Sequence, residues 1–384
     1  MNDPVSRSVR RWWLPAFLAP VVLLAGCAAY TEVNSEHLFR RQLVERIGPE
    51  AAAGIELPFE IDDEIRAMID RVVGPSGSEK KRTDEILNFV FDAMDLQYSL
   101  YPTRNAIETF QTRRGNCLSF VNLFVGIARE RRLNPFYVEV TDLQRWNYRD
   151  GVVVSQGHIV AGMYVDGELS TFDFLPYESK SYRDFDPITD LMALAHYYNN
   201  LGAEALLDGD VDRALPHLDL AVALAPDFDK AINNYGVALL RLGRAEEALA
   251  LYQQALAVDP ENVALLTNSA RAHQLLGQTD AARELLSRLA AANQASPYFF
   301  VYLAELALGR EEIDVAMELL VKALRRNSEI PEVHLGFAKL YLAQGDFRKA
   351  RHHIGRSLKL DATNAEARAY AAIIERGGGD GPKP

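Results

Sequence analysis

The sequence predicts an α+β domain that is followed by an all-α solenoid. Two observations lead to this fold class. Between residues 57 and 190, apolar residues first recur at helical spacing and then alternate as they do in β-strands. From about Ala195 onward, the sequence repeats with a period of 34 residues, which is typical of stacked helix pairs.

The composition is that of folded globular protein. Hydrophobic residues make up 48% of the 384 residues and charged residues make up 24%, so a disordered chain is not expected. The length predicts more than one domain. The formal net charge of −12 argues against nucleic acid as a partner and gives no reason to expect attraction to anionic lipids.

Residues 1–26 are predicted to be a lipoprotein signal peptide. Arg10 and Arg11 precede an apolar stretch, residues 12–24, that is too short to span a bilayer. The stretch ends in Leu-Ala-Gly-Cys, which resembles a bacterial lipobox, and the resemblance implies a lipid anchor on Cys27. Because Ala28 follows in place of an aspartate, the expected location is the cell envelope, at the outer membrane facing the periplasm. The alternative is a plain secretory signal with an incidental Cys27.

Residues 27–56 predict a short helix over 35–47 and a tether over the Ala/Gly stretch 50–54. The α+β domain is predicted over residues 57–190. It begins with helical stripes of apolar residues at 61–72 and 86–94.

Cys117 is the candidate nucleophile of this domain. Gly115 and Asn116 break the chain just ahead of it, and apolar residues follow at helical spacing to about Arg132. Cys117 therefore begins a buried helix, whose positive dipole end stabilises a thiolate. Only one other cysteine exists, so a lipidated Cys27 leaves Cys117 without an intrachain disulfide partner in an oxidising compartment.

Strand segments follow the Cys117 helix. The predicted strands are residues 135–140, 152–154, 158–165 and 168–174. Residues 142–150 are predicted to form a loop, in which Trp146 and Tyr148 either line a pocket or pack within the loop. Asp166 and Gly167, between the last two strands, predict a two-residue hairpin turn.

The hairpin turn sets a register that brings His158 near Asp173. If Val165 pairs with Glu168, Asp173 lies opposite Val160, and Val160 shares a face with His158. His158 and Asp173 are then diagonal neighbours within side-chain reach. His158 is also the only histidine between residues 57 and 190. A cysteine nucleophile needs such a base and an acceptor to orient the base. Unrelated structural roles for the three residues are the alternative.

At these residues the chain resembles the transglutaminase-like superfamily. The matching motifs are Arg-Arg-Gly-Asn-Cys ending at Cys117, Gly-His-Ile-Val around His158 and Thr-Phe-Asp ending at Asp173. The resemblance covers roughly residues 80–180. It implies a papain/transglutaminase-like α+β fold, with Cys117 as nucleophile, His158 as base and Asp173 as the orienting carboxylate. No cofactor is expected, and a zinc site is not expected because one Cys and one His are too few ligands.

The second half of the chain has the tetratricopeptide (TPR) period. Five repeats are predicted to start at residues 195, 229, 263, 297 and 331, followed by a capping helix at 365–375. The solenoid spans residues 191–378, and residues 379–384 are predicted to be a disordered tail. Position 20 of each repeat is alanine, as expected where two helices cross closely: Ala214, Ala248, Ala282, Ala316 and Ala350.

Some first-helix positions of the repeats are expected to face the concave groove of the solenoid. The candidate groove residues are Asn199, Asn233, Thr267 and Arg271. Their mostly neutral polar character favours an extended peptide or another protein as the partner. An ordinary solvated face is the alternative.

Two functional hypotheses of different classes follow. The first is a lipid-anchored periplasmic thiol acyl-transfer enzyme, acting by hydrolysis or amine transfer through a Cys117 thioester, with a TPR protein-interaction module. The second is a catalytically silent outer-membrane TPR lipoprotein that acts as an assembly adaptor. Recognition of cell-wall peptides is a third possibility that depends on the compartment alone.

Overall fold

The computed structural model describes residues 36–99, 101–149, 152–174, 185–291, 297–309, 311–362 and 364–377. The chain divides into two compact units, Met1–Ile55 and Glu56–Pro384. The predicted signal peptide, the lipidation of Cys27 and the disordered tail lie outside the described residues.

In the first unit, helices α1 (Glu36–Ile47) and α2 (Pro49–Gly54) follow each other directly. The helix expected over 35–47 is thus confirmed, but the tether expected over 50–54 is wrong because this stretch is helical. Its alanines are the strongest helix formers, and Pro49 occupies the first turn, where a missing N–H costs nothing.

The second unit begins with four helices of the α+β domain. They are α3 (Asp63–Val72), α4 (Glu79–Leu87), α5 (Ala106–Thr112) and α6 (Cys117–Glu130), and a π-helical turn, Asn88–Ala93, extends α4. Every residue of α6 from Cys117 to Ala128 is buried. A helix that is apolar on all sides belongs in the middle of a core, and α6 is therefore the central helix of this domain.

Within the described residues, four strands form an antiparallel sheet in the order β5-β4-β3-β6. A separate parallel pair, β1 (Gln97–Tyr98) with β2 (Arg114–Gly115), precedes α6. The sheet strands are β3 (Phe136–Arg149), β4 (Val152–Val165), β5 (Glu168–Phe172) and β6 (Phe185–Ile188).

The loop expected over 142–150 is wrong, because β3 continues to Arg149. Its second half pairs with the start of β4, from Arg145 with Gln156 to Arg149 with Val152. An irregularity between Val140 and Arg145 shifts the register, which interrupts the simple alternation that sequence patterns detect. The segments expected at 152–154 and 158–165 are accordingly one strand.

The β4–β5 hairpin has the predicted turn and register. Asp166 and Gly167 both have positive φ, 52° and 86°, as the two-residue turn requires. Val165 pairs with Glu168 and Ala161 pairs with Phe172, which confirms the expected register. The strand β5 ends at Phe172, so Asp173 follows its last residue rather than lying within it.

The repeat half is a run of antiparallel helix pairs. In chain order the helices are α7 (Asp190–Asp208), α8 (Val211–Leu224), α9 (Asp229–Arg241), α10 (Ala245–Val258), α11 (Val263–Leu275), α12 (Thr279–Ala291), α13 (Pro297–Gly309), α14 (Ile313–Arg326), α15 (Pro331–Ala343), α16 (Phe347–Leu360) and α17 (Ala365–Gly377). Helices α9, α11, α13 and α15 begin at the predicted repeat starts. The first helix begins five residues before 195, since Thr189 caps it. All five position-20 alanines are buried.

The sheet packs into the concave side of the first three repeats. Strand β4 lies against α7, α9 and α11, the first helices of those repeats. Val154 on β4 is fully buried and belongs to the same hydrophobic cluster as Leu206, Ile232 and Leu265 of the solenoid. The α+β domain and the repeats therefore form one continuous structure rather than two bodies joined by a linker.

Among the described residues, none of the helices has both the length and the apolar content needed to cross a bilayer.

Candidate active site

Cys117 is the first residue of α6, and Asn116 caps that helix. The Asn116 side-chain Oδ1 accepts hydrogen bonds from the backbone N–H and the hydroxyl of Ser119, both at 3.0 Å. A side chain that accepts a hydrogen bond in this way caps the helix, because it pairs one of the N–H groups that have no partner within the first turn. Cys117 is 7% exposed and sits where the helix dipole favours a negative sulfur.

His158 lies on β4 and contacts both other members of the predicted triad. Its Nε2 is 3.3 Å from Oδ2 of Asp173, and the side chain of Cys117 lies close enough to the ring to raise the pKa of His158. His158 is 1% exposed, while the Asp173 side chain is 21% exposed. The structure thus brings the three predicted residues together, as a cysteine nucleophile, a base and an orienting carboxylate require.

The surroundings of His158 favour its protonated form. Burial lowers the pKa of His158, but the hydrogen bonds with Asp173 and Cys117 raise it more, and the resulting pKa is about 9. The ordinary pKa of histidine is about 6.5. At neutral pH the imidazole is therefore an imidazolium between two groups that can both carry negative charge.

Aromatic packing on both sides of Asp173 fixes the position of its carboxylate. Phe172 packs against Phe124 of α6, with ring centroids 5.2 Å apart. Phe174 stacks on Phe91 at 4.6 Å and also contacts Phe124 at 5.9 Å. Local sequence patterns do not predict these ring contacts, because Phe91, Phe124 and Phe174 lie on separate elements.

A buried hydrogen-bond chain connects the helix cap to the solenoid. Asn116 Nδ2 donates to the hydroxyl oxygen of Thr103 at 2.7 Å. The Thr103 hydroxyl and backbone N–H both donate to Oε1 of Glu204, at 2.6 and 2.8 Å. Because the hydroxyl proton is committed to Glu204, its oxygen must accept from Asn116, and this orients the capping amide. Thr103 and Glu204 are too far apart in the chain for any local sequence signal to reveal this connection.

The opposite face of the sheet carries a second polar cluster. Glu139 on β3 forms an ion pair with Lys230 at 2.8 Å and lies 3.6 Å from Nε2 of His196. Both partners belong to first helices of repeats. Because of these partners the pKa of Glu139 is well below its usual range, although burial alone raises it. The carboxylate is therefore charged at neutral pH.

The groove residues predicted from the sequence have different positions from those expected. Asn199, Asn233 and Thr267 are no more than 1% exposed, because β4 covers the groove of the first three repeats. They are not available to an external partner, so this part of the prediction is wrong. The asparagines instead bond to neighbouring asparagines, Asn234 to Asn199 and Asn268 to Asn233, at 2.8 and 2.7 Å.

Arg271, the fourth candidate, lines an open cavity of about 530 Å³. The cavity lies along the first helices of the later repeats and the capping helix, and Tyr302 and Tyr370 also line it. The sheet does not cover this part of the groove that the sequence predicts.

Some predicted residues lie outside the described part of the structure. Cys27 is among them, as are the side chains of Trp146 and Tyr148, whose backbones belong to β3. Their predicted roles in lipidation and in lining a pocket stay predictions.

Comparison with known families identifies both halves of the chain. The model of the transglutaminase-like superfamily matches residues 66–175. Models of the tetratricopeptide repeat match residues 199–263, 239–300 and 307–374. The chain therefore contains a transglutaminase-like core domain followed by TPR repeats, which confirms the predicted fold class. The repeats make the second half a protein-interaction module.

Solved structures resemble the repeat half. A thermophilic TPR protein from Thermus thermophilus is 20% identical, with a TM-score of 0.42, and the match covers 47% of this chain and 99% of that one. PilW, a widely conserved type IV pilus biogenesis factor, is 23% identical, with a TM-score of 0.35, over 46% of this chain and 81% of that one. The Cut9–Hcn1 hetero-tetramer of APC/C is 16% identical, with a TM-score of 0.40, over 47% of this chain and 36% of that one.

These likenesses concern the repeat fold alone and say nothing about a ligand. No curated protein matches the chain.

Proposed function

We propose that this protein is a thiol acyl-transfer enzyme whose nucleophile is Cys117. The observation that carries the proposal is the position of His158, which is 3.3 Å from Asp173 and close enough to Cys117 for that side chain to raise the pKa of His158. A silent structural domain has no need to hold its buried histidine between a helix-terminal thiol and a carboxylate. The transglutaminase-like core domain supports the same class of chemistry.

In the first half-reaction, the Cys117 sulfur attacks the carbonyl carbon of an amide or peptide bond. The raised pKa of His158 favours a thiolate–imidazolium pair, in which the thiol proton already resides on His158. The carbonyl oxygen becomes an oxyanion, to which the backbone N–H of Cys117 at the start of α6 supplies one hydrogen-bond donor. As the C–N bond breaks, His158 gives its proton to the leaving amine, and an acyl thioester stays on Cys117.

In the second half-reaction, His158 takes a proton from water or from an acceptor amine, which then attacks the thioester carbonyl. The C–S bond breaks and the sulfur leaves as a thiolate, restoring the starting pair. Water gives hydrolysis and an amine gives transfer. Asp173 keeps the ring oriented and stabilises the imidazolium through both steps.

The experiment that tests this function is single-turnover acylation by a p-nitrophenyl ester, read out as p-nitrophenol release and intact protein mass. The expected result is a stoichiometric burst and an adduct on Cys117. The adduct is absent from Cys117→Ala and forms slowly in His158→Ala. Added hydroxylamine should convert the adduct to a hydroxamate. Absence of a Cys117 adduct from the folded wild-type protein would rule out the proposal.

The same proposal includes a lipid anchor on Cys27 in the bacterial envelope, at the outer membrane facing the periplasm. Its support is the Leu-Ala-Gly-Cys motif after a short apolar segment. The intact mass of protein extracted from membranes should show an acylated Cys27 as the first residue. A mature chain that begins at an unmodified Ala28 would contradict the anchor.

The open cavity near Arg271 is where we place the partner of the repeats. It is the uncovered part of the concave side and presents Arg271 together with Tyr370, groups suited to an extended polypeptide. In pull-downs, Arg271→Ala should lose the partner that the wild type retains, whereas Asn233→Ala, at a covered position, should keep it. Equal retention by all three proteins would place the partner elsewhere.

A further inference from the structure

Helix α7 is the first helix of the repeats, yet its side chains contact α6, which carries Cys117, and the sheet that carries His158. Its Glu204 ends the hydrogen-bond chain that begins at the cap of α6. Its His196 contacts Glu139 of the sheet. Its first residue, Asp190, forms a 2.7 Å ion pair with Arg129 in the last turn of α6. The helix thus spans α6 from one end to the other.

On the nucleophile side, the chain Glu204–Thr103–Asn116 determines how the capping amide points. Asn116 is 6% exposed and Thr103 is 3% exposed, so water is not a ready substitute for either partner. Without the acceptor on Glu204, the Thr103 hydroxyl can turn its proton toward Asn116. Of these contacts, only the hydrogen bonds from Ser119 then hold the Asn116 amide in its orientation, in the first turn of α6 beside Cys117.

On the base side, the two faces of β4 have different neighbours. Val140 pairs with His158 and Glu139 pairs with Ile159, so His158 and Glu139 point to opposite faces of the sheet. The His158 face lies on α6, and the Glu139 face lies on the solenoid. The strand is therefore held between α6 and the repeats.

The contact on the solenoid face is close. A Cβ at Gly157, the residue before His158, would be 2.9 Å from Cε1 and 3.1 Å from Nδ1 of His196. The Glu139–Lys230 ion pair also joins the sheet to the solenoid at this place, and the Lys230 side chain is only 14% exposed. A shift of the first two repeats is thus transmitted to the backbone next to His158.

We infer that Glu204 and Lys230, both in the repeats, are positioning residues for the Cys117–His158 pair of the α+β domain. Glu204 acts on the nucleophile through Thr103 and Asn116, and Lys230 acts on the base through Glu139 and strand β4. The inference rests on the proposed function, since it names further residues on which the same site depends. On this inference the first two repeats belong to the catalytic unit, and the later repeats are available to bind partners.

The test is the pH dependence of iodoacetamide alkylation of Cys117 in the full-length chain, solubilised in detergent and carrying Cys27→Ser so that one thiol is present. The variants are Glu204→Leu and Lys230→Met, which remove the acceptor and the cation. Glu204→Gln and Lys230→Arg are their conservative partners, because glutamine keeps an oxygen that accepts from Thr103 and arginine keeps the charge. The midpoint of the profile does not depend on how easily the reagent reaches the sulfur.

A control variant separates positioning from loss of stability. Leu320 is fully buried in α14 of the fourth repeat, within a cluster that contains no residue of the sheet. Leu320→Ala should lower the stability of the chain strongly, because it leaves a cavity in that core. All variants are measured below their unfolding transitions, followed by circular dichroism.

Glu204→Leu and Lys230→Met should each move the alkylation midpoint up by about one pH unit toward the ordinary thiol value of about 8.5. The two conservative variants and Leu320→Ala should keep the wild-type midpoint. Wild-type midpoints in Glu204→Leu and Lys230→Met, or an equal shift in Leu320→Ala, would overturn the inference and leave the proposed function intact. An ordinary thiol profile in the wild type itself would overturn both.

Discussion

Asp173 reaches His158 across the β4–β5 hairpin, with 3.3 Å between Oδ2 and Nε2, although fifteen residues separate them in the chain. The contact follows from the tight turn at Asp166 and Gly167, which sets the pairing of the two strands. Removing the charge should therefore change the titration of the ring directly. In Asp173→Asn, the pKa of His158 should fall from about 9 toward about 6.5.

The measurement is an NMR titration of the His158 ring protons in wild type and Asp173→Asn. Asp186→Asn, an exposed position on the edge strand β6, is the control and should leave the titration unchanged. A His158 pKa near 9 in both Asp173→Asn and wild type would show that Asp173 does not stabilise the imidazolium.

Much of this arrangement could be predicted from the sequence, because its determinants are local. The Asp166-Gly167 turn and the period of two residues along a strand place His158 beside Asp173. The 34-residue period likewise gives the starts of α9, α11, α13 and α15. In each of these cases a short-range rule determines which residues face one another.

What could not be predicted is the contact between the two halves. Whether a concave groove is empty or filled depends on the shape of another domain, and nothing in Asn233 or Thr267 distinguishes a peptide-binding side chain from one covered by β4. The links from Glu204 to Thr103 and from Lys230 to Glu139 are similarly long-range. Sequence periodicity does not detect the extension of β3 through 142–149, because the register shifts along the strand.

Stability should depend on pH through His158. Its pKa is raised in the folded state, so its contribution is fully present below the unfolded value of about 6.5 and is lost as the pH rises through about 9. The loss should be about 3 kcal/mol of the free energy of unfolding. Urea unfolding at pH 6 and pH 10 measures it. The free energy of unfolding of the wild type, relative to that of His158→Gln, should fall by this amount between the two pH values. A difference between the two proteins that stays constant with pH would contradict the raised pKa.

Gly157 should not tolerate a side chain. In Gly157→Ala the new Cβ would lie 2.9 Å from Cε1 of His196 and 3.3 Å from Oε1 of Glu139, so the strand or the solenoid must shift. We expect a loss of about 1–3 kcal/mol, measured by urea unfolding. Gly355→Ala is the matched control because its Cβ would have no neighbour within 4 Å, and within a helix it should be slightly stabilising. Equal stability of the two variants would argue against the tight contact.

The helix cap should affect the nucleophile as well as stability. Asn116→Ala removes the acceptor of the Ser119 N–H and should cost about 1 kcal/mol or more. Asn116→Asp keeps that acceptor but loses the donor to Thr103 and adds a negative charge beside Cys117. In Asn116→Asp the pKa of the Cys117 thiol should therefore rise, even if the variant loses little stability. Unfolding and alkylation of both variants test this, and an unchanged alkylation midpoint in Asn116→Asp would count against thiolate stabilisation at this helix end.

The central claim is that Cys117 and His158 form a thiolate–imidazolium pair. Its most direct test is the pH dependence of Cys117 alkylation by iodoacetamide in the Cys27→Ser chain, with and without His158→Ala. We predict rapid labelling well below pH 8.5, the ordinary pKa of a thiol, and a return to an ordinary profile in His158→Ala. An ordinary profile in the parent chain that His158→Ala leaves unchanged would contradict the claim and point to a catalytically silent domain.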